Sequence, residues 1–89
     1  MHSWKIIARG RVQGVGFRHY AQTCARRCGI TGYVRNLFDG SVLIEATGDQ
    51  ESLNRFCELL RNANRFIDVR ELEIIEQDKT VMYNDFQIL

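Results

Sequence analysis

Residues 10 to 18 read Gly10-Arg11-Val12-Gln13-Gly14-Val15-Gly16-Phe17-Arg18. Glycine permits backbone angles at which successive amide N–H groups turn toward one point, forming a concave nest that binds anions. A helix beginning just after such a turn adds its own unpaired N–H groups and the positive end of its dipole. Arg18 supplies a planar fork able to grip two oxygens at once. Together these parts suit a phosphate. Taken as a bare pattern, Gly14-x-Gly16 leaves two readings open: an anion cradle, and a glycine-rich turn that merely reverses the chain. It is not a dinucleotide fingerprint, whose third glycine would fall where His19 stands, and it lacks the Gly-Lys-Ser/Thr of a Walker loop.

Charge distribution favours an anionic ligand. Residues 1–38 carry seven basic groups and no acid, whereas residues 39–89 carry five basic groups and eleven acids, so a net charge of +1 conceals two oppositely charged stretches. Such a split suits a small phosphate or a nucleic acid. Solvated surface charge is the plainer alternative. The 89 residues, with 45% hydrophobic and 26% charged, match one soluble globular domain that folds alone over 1–89. The opening residues form no apolar stretch suited to a signal peptide or membrane span, so a cytoplasmic location is expected.

Around the loop, the chain divides into elements that would hold it. Trp4, Ile6 and Ala8 alternate with Lys5, Ile7 and Arg9, the period of a strand. Phe17, Ala21, Cys24 and Cys28 recur at helical spacing opposite Arg26 and Arg27, and Gly29 is placed to end that helix. Ile30–Leu37 and Ser41–Thr47 are rich in β-branched and aromatic residues, and Asp39-Gly40 between them suits a hairpin turn. Asp49 is positioned to cap a second helix with Leu53, Phe56, Cys57 and Leu60 on its apolar stripe. Between Phe66 and Glu76 the apolar positions shift from odd (Ile67, Val69) to even (Leu72, Ile74), which predicts a bulge near Arg70 or Glu71. A turn at Gln77–Thr80 precedes a short last strand marked by Phe86 and Ile88.

The predicted order is β-α-β-β-α-β plus a short final strand. This is an α+β, ferredoxin-like split βαβ sandwich, an antiparallel sheet with two helices on one face. That fold serves many functions, so function must be argued from the site.

The string from Gly10 to Arg18 resembles the phosphate-loop signature of the acylphosphatase family, and Gly32-Tyr33-Val34-Arg35-Asn36 is similar to that family's second motif. The resemblance runs along the whole chain to Asp85-Phe86-Gln87-Ile88. It implies hydrolysis of small-molecule acyl phosphates to a carboxylate and inorganic phosphate, without metal or organic cofactor. It makes Arg18 the phosphate ligand and Asn36 the carboxamide that orients the attacking water. The amides of Gln13, Gly14, Val15, Gly16, Phe17 and Arg18 complete the cradle. Inorganic phosphate would be both product and inhibitor, and the protein a monomer. One departure is local: family members often carry Gly-Pro after the second helix, where this chain has Arg61-Asn62-Ala63-Asn64-Arg65 and no proline.

The implied chemistry also stands on its own terms. A carboxylate leaves as a stable anion and needs no general acid. Phosphoryl transfer depends on positioning and on stabilising charge over the equatorial oxygens, which an arginine and fixed N–H dipoles supply. A neutral amide can hold water where a carboxylate would repel the substrate. The substrate phosphate can itself take the proton, so no activity step is expected at a histidine titration.

Competing readings are weaker. His19 would point about 100° away from Arg18 on a helix, and His2 sits near the terminus. Cys24, Cys28 and Cys57 match no metal-ligand spacing and fit the apolar stripes as free thiols. Arg9, Arg11, Arg26, Arg27 and Arg35 could form an RNA-binding face, but Tyr33 is the only aromatic in its strand, short of an RNP1-like run, so nucleic acid is disfavoured. A non-catalytic phosphate-binding domain remains, and the presence of Asn36 favours the enzyme.

Overall fold

The computed structural model describes residues 1–89. Its elements are β1 (His2–Arg11), α1 (Phe17–Arg27), β2 (Thr31–Asn36), β3 (Val42–Gly48), α2 (Gln50–Arg61), β4 (Asp68–Glu76) and β5 (Phe86–Ile88). One sheet runs in the order β4-β1-β3-β2-β5. Alternation explains how it packs. Trp4, Ile6, Ala8, Val34, Val42, Ile44 and Ala46 share the parity that faces the helices, and they form one core with Phe17, Ala21, Cys24, Leu53, Phe56, Cys57 and Leu60.

The local signals act as their chemistry dictates. The Asp49 side chain accepts a hydrogen bond from the Ser52 amide and starts α2. α1 ends at Cys28, and Gly29 follows with φ +70°. The phase change in β4 is a bulge: Arg9 pairs with Glu71 but Gly10 with Val69, leaving Arg70 as the extra residue. Gly10 belongs there because a Cβ would lie 2.2 Å from the Asp68 carbonyl oxygen.

The expectation of a wholly antiparallel sheet needs correction. β4, β1, β3 and β2 pair antiparallel, but β5 pairs parallel to β2, so the sheet is mixed. The cause is the path of residues 77–85. β4 finishes beside the start of β1, and the connection crosses that end of the sheet to the opposite edge. There the Gln77 amide donates to the Ser3 carbonyl, the Val81 amide donates to the Ser3 hydroxyl, and the Val81 carbonyl accepts from Thr47 Oγ1 at 2.7 Å. β5 therefore enters beside the start of β2 and must run with it. This crossing leaves the other end of the sheet open, where β1 and β2 finish.

Candidate active site

At that open end, β1 leads into the glycine loop. Val12 and Phe17 are both buried, so the exposed turn between them is anchored at each side by an apolar side chain. Gly14 (φ +74°) and Gly16 (φ +86°) adopt the left-handed region that glycine enters without strain. Gly16 is also the N-cap of α1, and no side chain caps that helix. The first helical bond runs from the Tyr20 amide to the Gly16 carbonyl. None of the backbone N–H groups from Gly14 to His19 donates to a protein acceptor. Six consecutive donors at a helix N-terminus make a ready anion seat.

Arg18 lies in the first turn of α1, half-buried, and its Nη1 donates to the Leu89 backbone oxygen at 3.3 Å. The Leu89 amide in turn donates to the Val34 carbonyl at 2.9 Å, two residues before Asn36. Asn36 ends β2, paired with Val42. β1 and β2 flank β3 and both run antiparallel to it, so the loop after β1 and the end of β2 lie at the same end of the sheet, beside the start of β3.

The Gln13 carboxamide makes the second link. Its Nε2 donates to the carbonyls of Leu37 and Ser41, each at 2.8 Å. Sequence reasoning gave Gln13 only a backbone amide in the cradle, and no residue spacing signals a bond across 24 to 28 positions. The hairpin it grips is internally tied: the Asp39 carboxylate accepts from the Ser41 amide and hydroxyl, which holds the Asp39 carboxyl below the usual range. Gln13, Arg35, Asn36, Leu37 and Phe38 line an open cavity of about 410 Å³.

The other candidates lie elsewhere. His2 and His19 are exposed. Cys24, Cys28 and Cys57 are free thiols, and burial pushes the Cys57 thiol up to about 11, an unreactive state. No group of three His, Cys, Asp or Glu side chains is arranged around a metal-sized centre. The sheet face away from the helices carries Glu45, Glu71 and Glu73, with Arg9 paired to the last two at 3.2 and 2.9 Å.

Known proteins share this fold. The sequence profile of the acylphosphatase family matches residues 4–88. The chain belongs to the acylphosphatase family. It is 43% identical over 89 residues to the acylphosphatase of Lactiplantibacillus plantarum, covering 99% of this chain and 98% of that one. It superposes on the crystal structure of acylphosphatase from Bacillus subtilis with a TM-score of 0.95 at 36% identity, covering 100% and 99% of the two chains. The same fold forms 12% of the chain of T. kodakarensis HypF, at TM-score 0.87 and 28% identity over the whole of this chain. Family and fold agree with the resemblance carried by the two motifs. No helix is long and apolar enough to cross a membrane.

Proposed function

We propose that this acylphosphatase-family chain hydrolyses small acyl phosphates in the cytoplasm, as a monomer, without metal or organic cofactor. The observation that carries the reading is the row of unpartnered N–H groups from Gly14 to His19, closed by Arg18. The phosphoryl oxygens sit against the amides of Gln13 to Arg18, and the guanidinium takes two of them as a fork. The Asn36 carboxamide holds a water in line with the bond to be broken. The water oxygen bonds to phosphorus, the bond from phosphorus to the acyl oxygen breaks, and its electron pair leaves on the carboxylate. The proton of the water passes to a phosphoryl oxygen. The loop, Arg18 and Asn36 all come from residues 1–38, which contain no acid, and the Asp39 carboxylate in the adjoining hairpin is engaged by the Ser41 amide and hydroxyl.

Nucleic acid suits the molecule less well, because Glu45, Glu71 and Glu73 occupy the sheet face that an RNA strand would cover. The deciding experiment is hydrolysis of acetyl phosphate and benzoyl phosphate in the presence of a chelator, with inorganic phosphate as a competitive inhibitor. Folded protein without turnover would overturn the reading. Asn36→Ala should lower kcat about 100-fold or more while phosphate still inhibits, and full activity in that variant would remove the water-holding role.

A further inference from the structure

We propose that the Gln13 side chain is a positioning residue that sets the spacing between the phosphate cradle and Asn36, an inference that rests on the hydrolytic reading above. The cradle belongs to one loop and Asn36 to another strand, so in-line attack requires the two to be held in register. Gln13 is the one residue that ties them directly. No other hydrogen bond joins residues 12–19 to residues 36–41. Both Nε2 protons are used, one on each arm of the hairpin turn, and Leu37 is covalently next to Asn36.

The turn that receives Gln13 is preset. The Leu37 carbonyl also accepts from the Gly40 amide at 3.3 Å, and the Ser41 carbonyl also accepts from the Leu37 amide at 2.9 Å. A carbonyl oxygen has two lone pairs, so each acceptor completes its set with Gln13. On the loop side, Val12 and Phe17 anchor the two ends by apolar burial, but the loop needs a polar restraint across to the hairpin to fix its height against Asn36. Gln13 supplies that restraint at the first cradle residue. The neutral carboxamide does so without adding charge beside a phosphate. Loss of the restraint leaves the N–H groups and Arg18 able to bind phosphate but lets the water stray from line. A misplacement on the order of 1 Å lowers turnover about 100-fold.

The test compares Gln13→Met, which keeps shape and removes both donors, with Gln13→Glu. In the second variant an ionised carboxylate faces two carbonyl oxygens and is repelled, whereas the protonated carboxyl has one O–H to donate. At pH 7.5 both variants should lose about 10- to 100-fold in kcat, with KM and the phosphate inhibition constant changed less than about threefold. Divided by wild type at each pH, the Gln13→Glu rate should rise as pH falls toward 5, and the Gln13→Met rate should not. Wild-type kcat in Gln13→Met, or a loss confined to phosphate affinity, overturns the positioning role. Absence of turnover in the wild type instead overturns the hydrolytic reading, and the positioning role falls with it.

Discussion

A site built from backbone amides is tested at its glycines, because side-chain substitution leaves the amides in place. Gly16 has φ +86°, and a Cβ there would meet nothing within 4 Å. Alanine at this position therefore costs only the left-handed backbone, about 1–2 kcal/mol. The chain has two ways to respond. It can keep the angle and lose that stability, or it can relax the loop and turn the unpaired Gly14–His19 amides out of their present orientation. Either response is measurable. Thermal or denaturant unfolding gives the stability loss, and phosphate inhibition with acetyl phosphate turnover gives the state of the cradle. Relaxation should weaken phosphate binding and lower the rate about 100-fold, the scale of losing one preorganised donor. D-alanine prefers positive φ, so chemical synthesis with joins at Cys24, Cys28 or Cys57 permits the decisive control: the protein with D-alanine in place of Gly16 should match or exceed the glycine protein in stability and keep its activity. If Gly16→Ala, with the ordinary L-residue, retained full stability, phosphate affinity and rate together, the amide cradle would not be the site.

Other consequences follow from the same geometry. Arg18→Lys should lose both phosphate affinity and rate, since a point charge cannot reproduce the fork; unchanged kcat/KM would refute the bidentate grip. Gly32→Ala should unfold the protein without any site-specific effect, because the new Cβ would lie 1.8 Å from the Glu45 backbone oxygen at φ +142°; a folded variant within about 1 kcal/mol of wild type would contradict the β2–β3 register. Arg11, Arg18 and Arg35 make no ion pair, so kcat/KM should fall roughly three- to tenfold from low to physiological salt, and a flat profile would remove electrostatic attraction from the account. Burial raises the Cys57 thiol from 9.0 to about 11, so above pH 9 the unfolded chain ionises while the folded one does not. Stability contributed by this thiol is present below pH 9 and is lost toward pH 11, by roughly 2 kcal/mol, and Cys57→Ala should flatten that alkaline decline in a denaturant titration.

Signals that act over a few residues were legible in the chain. The odd-to-even shift from Val69 to Leu72 located the bulge because a one-residue insertion must reverse the faces of a strand. Asp49 and Gly29 marked helix ends because each satisfies or terminates a local backbone pattern. β1 runs further than its alternation suggested, from His2 to Arg11, since backbone pairing with β3 and β4 continues after the apolar side chains stop. The direction of β5 was hidden for a different reason. Phe86 and Ile88 report a strand but not which end it enters from, and that is settled by the anchoring of Val81 to Ser3 and Thr47. At the candidate site, glycine spacing marked the turn in which the Gly14–His19 amides are left unpaired, whereas the Gln13 side chain bonds two carbonyls, groups that every residue carries and that leave no mark in a sequence.

The cavity beside Asn36 gains a specific meaning from in-line attack. Water and the departing carboxylate oxygen must occupy opposite sides of phosphorus. If Asn36 orients the water as proposed, the space lined by Gln13, Arg35, Asn36, Leu37 and Phe38 lies on the attacking side. The acyl group then points away from it, past the cradle. Phe38 at the cavity mouth, though apolar and exposed, is consequently placed to meet the entering water's surroundings and not the substrate's carbon skeleton. It follows that Phe38→Ala should alter benzoyl and acetyl phosphate hydrolysis alike. A selective loss of benzoyl phosphate turnover, seen as a rise in its KM alone, would place the acyl group in the cavity and require Asn36 to act on the leaving side.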